Sequence, residues 1–416
     1  MSLAFWSDAC FNALNTPPRT RLTILYTTCG LTVALFCLSA AASAYMHVRW
    51  QRLHKNKSFV WRLYGWFTAL SCAGSVFGCA SSLSKMQNLS LFYRATDALT
   101  DPSTPLTQSQ IWTLVSLSYR WQAAFDALFS FDFMFLSISK LLVLDRMFEL
   151  VEWGGTAGWN GRHQRLARGG ALVLAVVVVG TVVGFGGGFA AAAYFVQVAD
   201  LISNAAASYA AGDAAAASVF ISASSSAGHT AFIYKSIQGF SQVTVLLLII
   251  VAFIIAGIVF TRFANSKLSD LQLALAGDAD AACRVDEFSA MRSPGDMKRL
   301  AGAATERGKR LRGQVLSTVS VVFVTFLLRA VFAVMFSVSG ALQHDGNGCL
   351  GFCDVPCHDV HTLVQSWIAF TPEFQFTVTL ISSPLALLIA LWGVTTQRTL
   401  QLMSSSAREM SSKHAG

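Results

Sequence analysis

The chain has 416 residues, of which 54% are hydrophobic and only 12% are charged, and its mean hydropathy is +0.52. A chain this long and this apolar is not an ordinary soluble protein, so the composition indicates an integral membrane protein. The formal net charge of +8 does not indicate a nucleic-acid partner. The basic excess adjoins apolar segments, where anionic lipid headgroups are the nearer partner.

The first 21 residues contain Asp8, Pro17 and Arg19 and no apolar core of the length that a cleavable signal peptide has. We therefore expect the first apolar segment to act as the insertion signal itself. The basic run at 49–57 follows that segment directly. Because basic residues stay in the cytosol, this run predicts that the N-terminus is translocated.

Seven apolar segments approach or exceed the roughly 20 residues with which a helix crosses about 30 Å of hydrocarbon. Strands of a membrane barrel would be about half as long and would alternate apolar and polar residues, so helices are favoured. The sequence predicts an all-α, polytopic seven-transmembrane helix bundle within 22–394. The predicted spans lie near 22–46, 63–84, 116–145, 171–198, 237–261, 314–340 and 366–393.

The connecting segments alternate between many and few of the 30 Lys and Arg residues. The basic segments are 47–62, 146–168, 262–313 and the tail 395–416; the others are 1–21, 85–120, 199–235 and 341–365. Cytoplasmic loops retain Lys and Arg, so this alternation predicts an outside N-terminus and a cytosolic C-terminus. It leaves the choice between plasma membrane and endomembrane open.

Three of these segments carry further expectations. Asn88 begins an Asn-Leu-Ser sequon in a predicted outside loop and is a candidate for glycosylation. The Ala- and Ser-rich outside loop 199–233 is expected to be loosely ordered, with a helical turn or more in its Ala runs. In loop 262–313, helix five is expected to continue through 267–276. A basic cluster for anionic lipid headgroups lies near the loop's end, at Arg307, Lys309, Arg310 and Arg312.

The fourth predicted span contains glycines four residues apart at Gly180, Gly184 and Gly188. Small residues at this spacing let helices approach closely in lipid. They predict either a homodimer seam or an intramolecular contact with span two or three.

Four ionisable residues fall inside predicted spans: Asp126, Asp132, Arg329 and Glu373. Such residues are costly in a membrane and usually face the bundle interior. At about 1.5 Å of rise per residue, Asp132 and Arg329 lie at similar depth, which predicts an ion pair, whereas Asp126 and Glu373 lie nearer the outer mouth. The pair fixes helix packing, provides a counter-charge for a ligand, or belongs to a proton or ion path.

Four cysteines are predicted to lie outside: Cys10, Cys349, Cys353 and Cys357. An even number of cysteines in an oxidising compartment predicts two disulfides. A zinc site that also uses His358 and His361 is the alternative, although the spacing is not a standard zinc pattern.

The triplet Asp145-Arg146-Met147 at the cytosolic end of span three resembles the Asp/Glu-Arg-Tyr motif of rhodopsin-like G-protein-coupled receptors. Span six lacks their Cys-Trp-x-Pro motif and span seven lacks their Asn-Pro-x-x-Tyr motif. The segment 326–332, Phe-Leu-Leu-Arg-Ala-Val-Phe, resembles the arginine-bearing helix of plant tobamovirus-multiplication proteins and their receptor-like relatives. These resemblances imply a receptor-like fold, a cytosolic switch at Asp145 and Arg146, and a cytosolic signalling partner.

The predicted function is that of a receptor-like membrane protein that couples an outer vestibule to the cytosolic ends of helices three and six. The alternatives are a channel or transporter that uses the intramembrane charges and a structural or scaffolding membrane protein. We expect neither an enzyme nor a bound cofactor. All eight histidines lie in predicted loops or at span ends, and the chain lacks nucleotide-binding fingerprints and the span-seven lysine of a retinal protein.

Overall fold

The structure of the protein is a computed structural model that describes residues 18–53, 59–100, 106–153 and 160–282, together with eight helical residues between 320 and 335. Several predictions lie outside these residues, including the last predicted span at 366–393 and most of the span at 314–340. The basic cluster at 307–312 and the four predicted outside cysteines also lie outside them.

The described residues form five long helices. They are α1 (Pro18–Leu53), α2 (Phe59–Thr100), α3 (Gln108–Trp153), α4 (Asn160–Ala210) and α5 (Ala214–Ala282). The continuation of the fifth helix through 267–276 is therefore confirmed. The all-α class is confirmed for the described part of the chain, while the count of seven spans and the orientation of the termini stay predictions.

Four of the helices contain segments that are long and apolar enough to cross a membrane. These segments are Leu25–Arg49, Gly65–Ala95, Leu172–Ala210 and Ala214–Ala252. They overlap four of the predicted spans, those near 22–46, 63–84, 171–198 and 237–261. Each of the last two segments has 39 residues, about 58 Å of helix against about 30 Å of hydrocarbon, so both extend well beyond the bilayer core. The protein is thus an integral membrane protein.

The prediction of a loosely ordered loop at 199–233 is wrong, because the segment is helical on both sides of a tight turn. Gly212 adopts φ +80°, and its N–H donates to Tyr209 O while the Asp213 N–H donates to Ser208 O. This pair of hydrogen bonds is a Schellman motif, which ends α4. Asp213 Oδ1 then accepts the Ala216 N–H at 2.9 Å and caps the first turn of α5.

The segment 85–120 was also predicted as a loop, and it too is mostly helical. α2 continues to Thr100, and α3 begins at Gln108 behind a reciprocal cap. The Thr107 N–H donates to Gln110 Oε1 at 2.9 Å, and the Gln110 N–H donates to Thr107 Oγ1 at 3.3 Å. This is a capping box, and its Thr-x-x-Gln signature is legible in the sequence.

The chain divides into two compact units. The first comprises 1–142, 174–249 and 325–385, and the second comprises 143–173, 250–324 and 386–416. The side-chain contacts described below lie in the first unit.

Within the first unit, the interior contains both apolar side chains and many hydroxyls, and many apolar side chains also face outward. Buried serines join α1, α2 and α3: Ser75 Oγ donates to Ser39 Oγ at 3.0 Å, and the Ser71 and Ser139 hydroxyls are hydrogen-bonded at 3.0 Å. Large apolar side chains are exposed on α4 and α5, among them Val179, Val182, Phe240, Leu247 and Ile237. Exposed apolar faces over a hydrogen-bonded interior are the arrangement that lipid contact favours.

Candidate functional site

A buried ion pair joins α3 to α5. Lys235 Nζ lies 3.2 Å from Asp126 Oδ1, and the two side chains are only 12% and 1% exposed. Charges withdrawn from water this far are costly unless they are paired and hydrogen-bonded. The two charges are therefore buried as a pair, and each depends on the other for compensation.

Hydrogen bonds fix the Asp126 carboxylate on its other side. Gln122, one turn earlier on α3, donates from Nε2 to Asp126 Oδ2 at 2.9 Å. Ser130, one turn later, donates to the Asp126 backbone carbonyl at 2.7 Å and accepts a 2.9 Å hydrogen bond from Gln238 Nε2 of α5. A second α3–α5 connection thus lies beside the ion pair.

A second lysine, Lys85 of α2, completes the cluster. Its Nζ lies 5.5 Å from the centroid of the Phe125 ring, and Lys235 Nζ lies 5.7 Å from the same centroid. Lys235 also lies 5.6 Å from the Phe195 centroid. At these distances the rings attract the ammonium groups through cation–π interaction. Lys85 is also within range of charge–charge interaction with Asp126 and Lys235. Hereafter Asp126, Lys235 and Lys85 are called the charge layer.

Three glycines of α4 pack closely against the helices that carry the charge layer. A Cβ on Gly188 would overlap Ser130 Oγ and would come within 2.6 Å of Gln238 Nε2. A Cβ on Gly180 would lie 2.7 Å from Val245, and one on Gly184 would lie 3.4 Å from Ser241 Oγ. These glycines face α5 and, at Gly188, also α3. Of the two alternatives predicted for Gly180, Gly184 and Gly188, the structure therefore confirms the intramolecular contact. The partner is the predicted span three at Gly188, and chiefly span five, which was not one of the predicted partners. These contacts give the homodimer seam no support.

Of the other three predicted intramembrane charges, the structure describes only Asp132. Asp132 is 2% exposed on α3, six residues beyond Asp126. Its predicted partner Arg329 lies outside the described residues, as does Glu373. The Asp132–Arg329 pair therefore stays a prediction.

The predicted cytosolic switch lies on a continuous helix. Asp145 and Arg146 fall within α3, which continues to Trp153. The structure does not describe their side chains, so their role stays a prediction.

Asn88 does not lie in an exposed loop. It is buried within α2, and its Nδ2 donates to the Ser118 carbonyl of α3 at 2.7 Å. The sequon hydroxyl, Ser90 Oγ, is hydrogen-bonded to Tyr26 OH at 2.8 Å. A glycan would be attached at Nδ2, so the structure speaks against the glycosylation prediction.

The described cysteines are the four that lie within α1 and α2, and all are free thiols. Cys37 Sγ and Cys79 Sγ approach to 3.7 Å, and Cys72 Sγ lies 3.7 Å from the Ala40 carbonyl. These contacts are those of small packing residues within a helix pair. The proposed disulfides and the zinc alternative involve Cys10, Cys349, Cys353 and Cys357, which lie outside the described residues.

Sequence reasoning identified Asp126 but missed its partners. Lys235 was assigned to the edge of an outside loop, and Lys85 to the start of another. A signal was present: Lys235 is the only Asp, Glu, Lys or Arg between Asp213 and Arg262. Lys85 is likewise the only such residue in 65–93. A lone charge in so long an apolar helix needs a partner or a function.

Comparison with known proteins gave no match: no family model, no curated protein and no solved structure is similar to this chain. The resemblances at 145–147 and 326–332 accordingly stay predictions.

Proposed function

We propose that this integral membrane protein is a solute transporter or channel whose charged solute binds at the charge layer. The observation that carries the proposal is the third charge. A pair made by Asp126 and Lys235 alone would suffice to hold α3 against α5, but Lys85 adds an ammonium beside the same Phe125 ring. An ionisable residue inside a membrane protein is a candidate for function because its insertion is costly.

The three charges come from three different helices, which also supports transport. Lys85 is on α2, Asp126 is on α3 and Lys235 is on α5, so a solute at the layer contacts three helices at once. A solute that binds the layer more tightly in one arrangement of these helices shifts the population toward that arrangement. Coupling between a buried charged site and helix packing is what transport requires.

A receptor-like role is the second candidate, and one observation favours it. The helix that carries Asp126 continues without interruption to Asp145 and Arg146. Binding at the layer without any solute flux would favour this role over transport.

The proposed function is tested with purified full-length protein in proteoliposomes. Flux is followed with a potential-sensitive dye and an internal pH dye while gradients of sodium, potassium, chloride, acetate and protons are applied one at a time. We expect the wild-type protein to carry at least one of these ions and Asp126→Asn to lose most of the flux.

The control variant is Asp200→Asn, which neutralises an exposed carboxylate in an ion pair with Arg120. We expect this variant to keep the flux, because the charge layer is intact. A folded wild-type protein that carries none of the ions contradicts the proposal, as does full flux through Asp126→Asn.

A further inference from the structure

We infer that Cys37 of α1 and Cys79 of α2 form a dithiol that a lipid-soluble quinone oxidises to a disulfide near the midplane of the membrane. The disulfide ties α1 covalently to α2. The inference goes beyond the proposed function and does not depend on it, because it involves neither the charge layer nor a transported solute.

The first argument is the position of the two thiols within a regular helix pair. Cys37 Sγ lies 3.7 Å from Cys79 Sγ. Hydrogen bonds on either side of the thiols join α1 to α2 in the same antiparallel order. They are Tyr26–Ser90, Ser39–Ser75 and His47–Thr68. The approach of the two sulfurs is therefore part of the register of the helix pair.

The helices also approach closely at the residues that precede the two cysteines. A Cβ on Gly78 would overlap the Phe36 ring, so the two backbones lie close together here. The S–S bond of a disulfide is about 2.05 Å long, so the sulfurs must come closer than they are in the reduced pair. We expect rotation about the Cα–Cβ bonds to bring them together, because the backbones are already held side by side.

The second argument is depth in the membrane. Cys37 is the central residue of the apolar segment Leu25–Arg49, and Cys79 is one residue from the centre of Gly65–Ala95. Both segments are long enough to cross the hydrocarbon, so the thiol pair lies near its midplane. A charged oxidant would have to lose its hydration to reach this depth, which is costly. The oxidant must therefore be soluble in lipid.

The third argument is access from the lipid. Cys37 is exposed, and so is Leu38 beside it. Val76 and Leu83, which lie one turn to either side of Cys79 on α2, are exposed as well. Apolar side chains that are exposed at this depth face lipid. The thiol pair thus lies at the lipid-facing edge of the helix pair, where a molecule dissolved in the bilayer reaches it directly.

The chemistry of the step selects a quinone. Both S–H bonds break and one S–S bond forms, while the quinone accepts the two protons and two electrons and becomes a hydroquinone. Because the protons leave with the electrons, the step leaves no net charge in the hydrocarbon, where a thiolate would be costly. Exchange with an aqueous disulfide requires attack by a thiolate, so this depth disfavours it.

The test uses full-length protein in nanodiscs, incubated without oxygen with tetramethyl-p-benzoquinone or, separately, with oxidised glutathione. In a non-reducing tryptic map, Cys37 lies in peptide 22–49 and Cys79 lies in peptide 63–85, so the disulfide is detected as these two peptides joined. We expect the quinone to join them, with one hydroquinone formed per crosslink. Oxidised glutathione at the same concentration should be at least tenfold slower.

Two results of this experiment would overturn the inference. One is a quinone that forms no crosslink between the two peptides. The other is oxidised glutathione that forms the crosslink as fast as the quinone, because the thiols would then react as groups in contact with water.

Matched variants locate the crosslink, because each peptide contains a second cysteine. Cys37→Ser and Cys79→Ser should each abolish it. Cys29→Ser and Cys72→Ser remove the other thiol of the same two peptides and should leave the crosslink at the wild-type level. A crosslink that persists in Cys37→Ser, or that is lost in Cys29→Ser, contradicts the assignment.

A second measurement keeps the inference testable if Cys37→Ser or Cys79→Ser does not fold. Fragment ions of the joined peptides from wild-type protein identify the two bonded cysteines directly. Fragments that place the bond between Cys37 and Cys79 support the inference. Fragments that place it at Cys29 or Cys72 overturn it.

Discussion

Two ion pairs that the structure describes connect α3 to other helices, and they lie in different surroundings. Asp126 and Lys235 meet at 3.2 Å with 1% and 12% of their side chains exposed. Six residues earlier on α3, Arg120 meets Asp200 of α4 at 3.1 Å with 56% and 60% exposed. The distances are alike, and each pair joins a basic side chain to an aspartate. The pairs differ in the cation, an ammonium in one and a guanidinium in the other, and most of all in burial.

Burial decides what each pair contributes. An exposed pair is screened by water and salt and typically contributes about 0.2–1 kcal/mol. Removing one partner of a buried pair strands the other charge and costs about 3–5 kcal/mol. The charge layer is therefore expected to constrain the bundle strongly, and the exposed pair of Arg120 and Asp200 is expected to contribute little.

The largest effect is expected for Asp126→Asn. The substitution leaves the Lys235 ammonium without its carboxylate, and we expect a loss of about 3–5 kcal/mol in the free energy of unfolding. Lys235→Met strands Asp126 and should cost a comparable amount. The measurement is denaturant unfolding of the purified protein in detergent.

The double variant Asp126→Asn/Lys235→Met tests whether the loss comes from the pair. It should be less destabilised than the sum of the single variants, because neither charge is then left alone. Strictly additive losses would mean that the two side chains do not interact in the folded protein.

The next effect concerns the glycine that lets α4 approach the charge layer. Gly188→Ala places a methyl group onto Ser130 Oγ and within 2.6 Å of Gln238 Nε2, so it should disrupt their hydrogen bond. Overpacking of this kind costs about 1–3 kcal/mol, which thermal unfolding will detect.

The matched control lies two residues away on the same helix. A Cβ on Gly186 would meet nothing within 4 Å, so Gly186→Ala should be neutral or stabilising by about 0.5–1 kcal/mol. Equal losses in the two variants would show that helix propensity, and not contact with Ser130, determines the effect at Gly188.

The sequence predicted the membrane class and four of the apolar helices because both depend on long runs of one residue class. It assigned helix ends less well. The segments 85–120 and 199–235 are richer in small and polar residues than the predicted spans beside them and contain few Lys and Arg residues, so they were assigned to loops, although most of 199–235 belongs to the long apolar helices α4 and α5. Their helical state is set by local caps at Thr107 and Asp213, which are visible in the sequence, and by packing between helices, which is not.

The sequence did not predict the partners of Asp126 in the candidate site, and the reason is a different one. Asp126 stood out as a charge in an apolar run, but Lys235 is 109 residues away along the chain, and only the return of α5, which runs parallel to α3, brings it to α3. Likewise, the spacing of Gly180, Gly184 and Gly188 indicated a close helix contact without saying which helix provides it. The residue pattern within one segment predicts which face of a helix makes contact, whereas the tertiary fold determines which helix lies against that face.

A smaller effect is expected at the end of the bundle, where Gly212 joins α4 to α5. Its φ of +80° lies in the left-handed region, where a side chain costs about 1–2 kcal/mol. Gly212→Ala should lower stability by that amount, and Gly212→Asn by less, because Asn tolerates this conformation better. Thermal unfolding in detergent compares the two variants. Ala and Asn of equal stability would indicate that the turn relaxes to another backbone conformation.

The smallest effect is expected at the exposed ion pair. Arg120→Gln and Asp200→Asn should each lower the free energy of unfolding by about 0.2–1 kcal/mol, because both side chains are more than half exposed and the remaining charge stays hydrated. The difference from wild type should shrink further in about 1 M salt, where the Debye length falls to about 3 Å. Denaturant unfolding at low and high salt measures both. A loss at Arg120 as large as that of Asp126→Asn, and insensitive to salt, would show that this end of the bundle is shielded from water in the membrane. The contrast in burial between the two ion pairs would then be lost.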